Sequence, residues 1–162
     1  MSLAHRRKDL SLKAFTRAHE MLARVTGGRF GRTTAGLPIV KFTTTGRKSG
    51  KPRSVMLATP IPDDERCIVV ASKGGDDRHP DWYRNLLANP HVVVEPVGGD
   101  GPVQMVARTA TSAEKAALWS RIATGADGYA AYQRKTDRDI PVVICEPRVQ
   151  RDAPATGTER GA

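Results

Sequence analysis

The stretch TTTGRKSGKPR, residues 43–53, gathers Arg47, Lys48, Lys51 and Arg53, with Lys41 just upstream, around Gly46, Gly50 and Pro52. Cations on a glycine-bearing turn suit an anion site, because glycine lets backbone N–H groups converge while Arg and Lys add charge-assisted hydrogen bonds. The turn is not a nucleotide-binding P-loop. That motif needs four residues between its glycines, a Ser or Thr after its lysine, and a helix to follow. Here three residues separate Gly46 from Gly50, Pro52 follows Lys51, and β-forming residues come next. An exposed hairpin with solvated charges is the plainer alternative. Metal and hydrolytic chemistry find no support: His5, His19, His79 and His91 stand at no ligand spacing, neither cysteine has a C-x-x-C partner, and no serine occupies a G-x-S-x-G elbow.

The whole chain is basic. Its 26 Lys and Arg against 17 Asp and Glu give a formal charge of +9 over 162 residues, which points to nucleic acid, an acidic membrane surface or a small polyanion as partner. Nucleic acid is disfavoured, since 5% aromatic residues leave little for base stacking and no reader motif is present. Cys67 and Cys145 lie far apart within the apolar runs RCIVVAS and PVVICEP and read as buried thiols of a reducing compartment. No apolar run approaches the roughly 18 residues of a membrane span, and no signal core opens the chain. The expectation is therefore one cytoplasmic domain.

The elements that must position these residues follow from periodicity and turn chemistry. A basic leader precedes an amphipathic helix over about residues 10–26, with Leu12, Phe15, Ala18, Leu22 and Val25 on one face. That helix either packs on the core or rests on an anionic membrane surface. LPIVKFTTT reads as a strand. RSVMLATP and RCIVVAS, separated by IPDDE, are expected to pair as antiparallel neighbours. HPDWYRNLLANP reads as a short helix, with Pro80 in its first turn and Asn89-Pro90 at its end. HVVVEPV and PVQMVARTA flank the turn GGDG as a hairpin, and Thr111 with Glu114 forms a capping-box spacing ahead of the helix SAEKAALWSRIA. A shorter helix, GYAAYQRKT, and a last strand, IPVVICEP, complete an α+β domain around a mostly antiparallel sheet or barrel. The expected divisions are a leader and helix over 1–27, the domain over 28–147, and a disordered tail over 148–162.

Three blocks taken in order, TTTGRKSGKPR, VVASKGGDDRHPDWYRNLLANP and GYAAYQRKTDRDIPVVICEP, closely resemble the deazaflavin-dependent nitroreductase family, whose nitroreductases and quinone reductases use coenzyme F420 and are known chiefly from actinobacteria. The likeness runs over about residues 37–147. It implies a split β-barrel similar to that of FMN-binding pyridoxamine-phosphate-oxidase relatives. It also implies a ligand for the basic turn, because F420 carries a phosphodiester and a chain of glutamates behind a flat ring. By this resemblance Arg47, Lys48, Ser49 and Arg53 bind the phosphate and tail, with Lys51, Arg29 and Arg32 assisting on charge alone. The strand Ser54, Val55, Met56, Leu57, Ala58 and Thr59 is expected beside the deazaflavin. Val70, Ala71, Ser72 and Lys73 are expected at its edge or on its phosphate arm, with Gly74 and Gly75 permitting close approach. Trp82, Tyr83, Arg84 and Asn85 match the motif at the short helix, where Trp82 reads equally well as a core anchor.

Tyr129 and Tyr132 stand three apart, hence on one helical face, and match family positions that close over ring and substrate. The activity implied is hydride transfer from reduced F420 to an electron-poor apolar acceptor: a quinone, an enone or unsaturated lactone, or a nitro compound. Tyr129 is the first candidate to serve the developing oxyanion and Tyr132 the second. Ala126 stands where many nitroimidazole-reducing members carry a tyrosine, which leaves that activity open. Two other readings keep the barrel. One gives it FMN, and the other makes it a carrier of coenzyme or ligand without turnover.

Overall fold

The computed structural model describes residues 33–34, 36–125 and 127–148. The segment over about residues 10–26 expected as an amphipathic helix, Arg29, Arg32, Ala126 and the tail beyond Arg148 lie outside them. β2 (Leu37–Thr45) and β3 (Pro52–Ala58) form a hairpin around the basic turn, after the two-residue β1 (Thr33–Thr34). β4 (Cys67–Val70) leads through a 3₁₀ turn (Lys73–Gly75) to helix α1 (Asp81–Ala88), with Pro80 at its N-cap rather than inside its first turn. The second hairpin is β5 (His91–Pro96) with β6 (Val103–Thr109), and it is followed by α2 (Ser112–Gly125), α3 (Asp127–Gln133) and β7 (Val142–Pro147). The capping box forms as its spacing requires: the Glu114 amide donates to Thr111 Oγ1 at 3.3 Å, and the Thr111 amide donates to Glu114 Oε2 at 2.8 Å.

Hydrogen bonding runs β3-β2-β5-β6-β7-β4, antiparallel throughout, with β1 pairing the start of β2. This is an α+β half-barrel whose two ends are β3 and β4. The expected hairpin between those two strands does not form. Asp63 does make a turn, its carboxylate accepting from the amides of Glu65 and Arg66 and from the Arg66 guanidinium. The link around it is no tight connection, however. Ile61, only 3% exposed, is drawn into an apolar cluster with Ile68, Val70, Ile122, Ile140 and Val142, so the chain crosses from one end of the sheet to the other. β4 then pairs with β7, placing Cys67 directly opposite Cys145 as buried free thiols.

Two apolar clusters occupy the two sides of the sheet. One joins Phe42, Val92, Val94, Val69, Val143 and Cys145 to Trp82, Tyr83 and Leu86 of α1. The other sets Ile68, Val70 and Val142 against Ile122 of α2, with Leu118, Trp119, Tyr129 and Tyr132 packed on it. Strand alternation accounts for the split, since Val69 and Ala71 point one way and Ile68 and Val70 the other.

Candidate active site

The basic turn is built by its glycines. The Gly46 amide donates to the Lys51 carbonyl at 2.9 Å, the Gly50 amide returns to the Gly46 carbonyl at 2.8 Å, and Gly50 takes φ +64°, which side chains disfavour. Of the five cations read around this turn, two are committed elsewhere. Lys41 pairs with Glu95 on β5 at 3.1 Å. Arg47 is tied to α1, its amide and Nη1 donating to Asn85 Oδ1 at 3.2 and 3.0 Å and its Nη2 to Asp81 at 3.0 Å. Asn85 is 4% exposed and donates from Nδ2 to Thr44 Oγ1, so it locks turn, strand and helix together. Lys48, Lys51 and Arg53 pair with no acidic side chain among the described residues. Arg53 only approaches Ser49 Oγ, at 3.5 Å.

β3 presents its outer edge at the seam. Bonds from the Gly46 amide to the Lys51 carbonyl and from the Thr59 amide to the Pro38 carbonyl fix the phase of the ladder at both ends. Antiparallel pairs alternate, so Arg53, Val55 and Leu57 bond to β2, while Ser54, Met56 and Ala58 aim their backbone groups away from it. Among the described residues no strand takes that edge. Val55 and Leu57 pack on the first cluster, Met56 is buried, and Ser54 Oγ lies 2.8 Å from Thr43 Oγ1. Thr59, 8% exposed, donates to the Pro38 carbonyl.

The loop after β4 carries the strained backbone. Ser72 is right-handed (φ −72°, ψ −38°), and Lys73, Gly74 and Gly75 follow at φ 49°, 65° and 76°. A right-handed residue followed by a left-handed one turns successive N–H groups into a common concavity, an anion-accepting nest. The amides of Ser72 and Gly74 have no acceptor among the described residues. Gly75 is required by proximity as well as by φ: a β-carbon there would lie 2.8 Å from the Tyr132 carbonyl oxygen and 2.9 Å from Lys135 Cβ. The nest is thereby set against the helix bearing the tyrosines. Tyr129 and Tyr132 meet edge to face, ring centroids 6.1 Å apart. Burial, with a smaller effect of Tyr132, pushes the Tyr129 hydroxyl up to about 12.

The candidates thus fall into groups. Arg47, Lys48, Ser49 and Arg53 share the turn; Val70 shares the second cluster with Tyr129 and Tyr132, the 3₁₀ turn that Lys73 opens meets α3, Ala71 belongs to the first cluster, and Ser72 joins the two. Trp82 and Tyr83 are core residues, 8% and 6% exposed. Trp82 packs against Phe42 with centroids 5.3 Å apart, and the Tyr83 hydroxyl lies 2.9 Å from Thr109 Oγ1. Arg84 is exposed. α1 serves both groups, because Asp81 and Asn85 hold the turn while Tyr83 packs against His79, ring centroids 4.9 Å apart and planes tilted by 45°, beside the nest loop.

Sequence reasoning missed Arg138, Asp76 and Gln133. Asp76 is 4% exposed, and hydrogen bonds from Arg78 hold its carboxyl far below the usual range. Nothing in the run TDRDIP sets Arg138 apart from its charged neighbours. A separate depression of about 180 Å³ among Thr43, Thr45, His91, Val93 and Gln104 contains none of the nest residues or tyrosines. Among the described residues no group of acidic, His or Cys side chains is arranged to hold a metal.

Comparison with known proteins supports one family. The family model described as F420H(2)-dependent quinone reductase matches residues 15–147. An F420H(2)-dependent quinone reductase of Mycobacterium tuberculosis is 37% identical over 134 residues, covering 82% of this chain and 89% of that protein. A solved F420-H2 dependent reductase (FDR-A) superposes with a TM-score of 0.60 at 44% identity, over 67% of this chain and 94% of that one. A pyridoxinephosphate oxidase family protein from Clostridium acetobutylicum, 16% identical with a TM-score of 0.51 over 80% of this chain and 84% of that one, shares the fold alone. The matched region begins ahead of β1 and ends with the last residue of β7, and the chain belongs to the F420H(2)-dependent quinone reductase family.

Proposed function

We propose that this oxidoreductase uses reduced coenzyme F420 to reduce a quinone, an enone or unsaturated lactone, or a nitro compound. Membership of the family makes reduced F420 the cofactor. The observation that carries the site assignment is the charge left over on the turn. Lys48, Lys51 and Arg53 extend from a hairpin anchored to α1 through Arg47, and no described acidic group neutralises them. A polycarboxylate tail supplies the missing charge, whereas FMN, with a single phosphate, supplies little of it. The amides of Ser72 and Gly74 add two donors for the coenzyme's acceptor oxygens.

When bound, reduced F420 supplies the hydride. The chain's part is position and electrostatics. With its proton held to about pH 12, the Tyr129 hydroxyl remains neutral and donates a hydrogen bond to the oxygen on which charge develops. That pKa makes it a stabilising donor more than a proton source, and water completes the protonation. Gly75 keeps the nest close to Tyr132, and the cluster beneath the tyrosines excludes water from their inner side.

The test is titration of the purified protein with F420 and, separately, with FMN at two salt concentrations, followed by turnover with a panel of quinones, enones and nitro compounds. The reading expects tight binding of F420 that weakens with salt. Preference for FMN, or for neither, would overturn it, and coenzyme binding without turnover would make the protein a carrier. Segment 10–26 is proposed to add contact with an anionic membrane surface, which would bring lipid-soluble quinones within reach. Flotation on anionic vesicles unchanged by deletion of residues 1–27 would remove that proposal. No helix among the described residues is long and apolar enough to cross a membrane.

A further inference from the structure

Arg138 lies in the link between α3 and β7, and its planar guanidinium collects carbonyls from both ends of the nest loop. Nη2 donates to the Ala71 carbonyl at 3.0 Å and to the Ser72 carbonyl at 2.8 Å, and Nε donates to the Asp76 carbonyl at 2.8 Å. Nη1 lies 3.4 Å from His79 Nδ1. The residue is itself held. Gln133 Nε2 donates to the Arg138 carbonyl at 2.9 Å, Gln133 Oε1 accepts from the Ile140 amide at 3.0 Å, and the Arg138 amide donates to Thr136 Oγ1 at 3.3 Å.

In a trans peptide the C=O and the following N–H point in opposite directions within one plane. A group that fixes the Ala71 carbonyl therefore fixes the Ser72 amide as well and aims it away from itself, while the bond from the Asp76 amide to the Lys73 carbonyl fixes the Gly74 amide in the same way. The amides of Ser72 and Gly74 are the nest donors that have no acceptor among the described residues. We infer that Arg138 is a positioning residue of the coenzyme site, gripping the loop from behind so that its amides face an acceptor oxygen of F420. The inference rests on the proposed binding of F420 at this loop. The fork geometry is essential to it, because a lysine ammonium is a point charge and cannot span carbonyls from both ends of the loop.

The experiment compares wild type, Arg138→Lys and Arg138→Ala in two assays: the dissociation constant for F420, and amide hydrogen exchange without coenzyme at Gly75 and Asp76, whose amides bond to the Ser72 and Lys73 carbonyls within the loop. The expected result is binding weakened about tenfold or more in Arg138→Ala and by a smaller factor in Arg138→Lys. Exchange at Gly75 and Asp76 should quicken in the same order, and methylguanidinium should restore part of the affinity of Arg138→Ala. Should Arg138→Ala fail to fold, Arg138→Lys decides alone. Faster exchange with unchanged affinity would overturn the inference, leaving Arg138 a purely structural clamp. A wild-type protein that binds no F420 would instead remove the functional reading, and the inference with it, whatever the exchange data show.

Discussion

Tyr129 packs on the second cluster, where burial raises the pKa of its hydroxyl to about 12. If it serves the acceptor's developing charge, Tyr129→Phe should lower kcat by one to two orders of magnitude while leaving the dissociation constant for F420 within about twofold. Equal losses in both would make it a packing residue. His79 offers a different test. Burial first, then the charges of Arg138 and Arg84, hold its pKa below the ordinary 6.5. The unfolded chain thus takes up the proton first as pH falls. The stability His79 contributes is complete above about pH 6.5 and declines as pH drops through the lower folded value. His79→Gln should flatten that part of a urea-midpoint profile against pH, and an unaltered profile would contradict the assignment. The basic turn was legible as a cluster of charge, yet composition could not separate Lys48, Lys51 and Arg53 from Lys41 and Arg47. Their difference lies in partners contributed by β5 and α1, 34 to 54 residues away in sequence.

Helix α1 is short, and its value lies in what it joins. Asn85 satisfies the Arg47 amide, the Arg47 guanidinium and the Thr44 hydroxyl from a buried position. Asn85→Ala should cost about 2 kcal/mol by leaving those groups unpaired. It should also weaken F420 binding through the loosened turn, both effects being read from denaturant midpoints and from titration. Gly75→Ala should be harmful for two reasons, the φ of +76° and the 2.8 Å approach to the Tyr132 carbonyl. A displaced α3 would appear as a lowered melting temperature together with lost turnover. The two hairpins flanking GRKSGK and GGDG, and the capping box at Thr111, could be read directly because each is specified by neighbouring residues. The pairing of RCIVVAS could not. Its four strand residues are buried on both faces and give no alternation, and its partner β7 follows after some seventy residues of intervening chain.

Among the described residues the molecule is a sheet open between β3 and β4 with an apolar cluster on each side, and α1 links the basic turn to the loop after β4. The strand count suggested the half-barrel and the resemblance supplied its name, but the position of the seam depended on Ile61, whose burial carries the chain across to β4. The outward backbone groups of Ser54, Met56 and Ala58 have one more consequence, for solubility. A row of donors and acceptors that no described strand pairs, on a strand rich in Val, Met and Leu, is a template for a strand of another molecule. The cations at Lys51 and Arg53 beside it give two such edges the same sign, so repulsion keeps copies apart until salt screens it. Coenzyme lying along β3 would cover the row. On heating, light scattering from the ligand-free protein should begin at a lower temperature as salt is raised, and the addition of F420 should delay it.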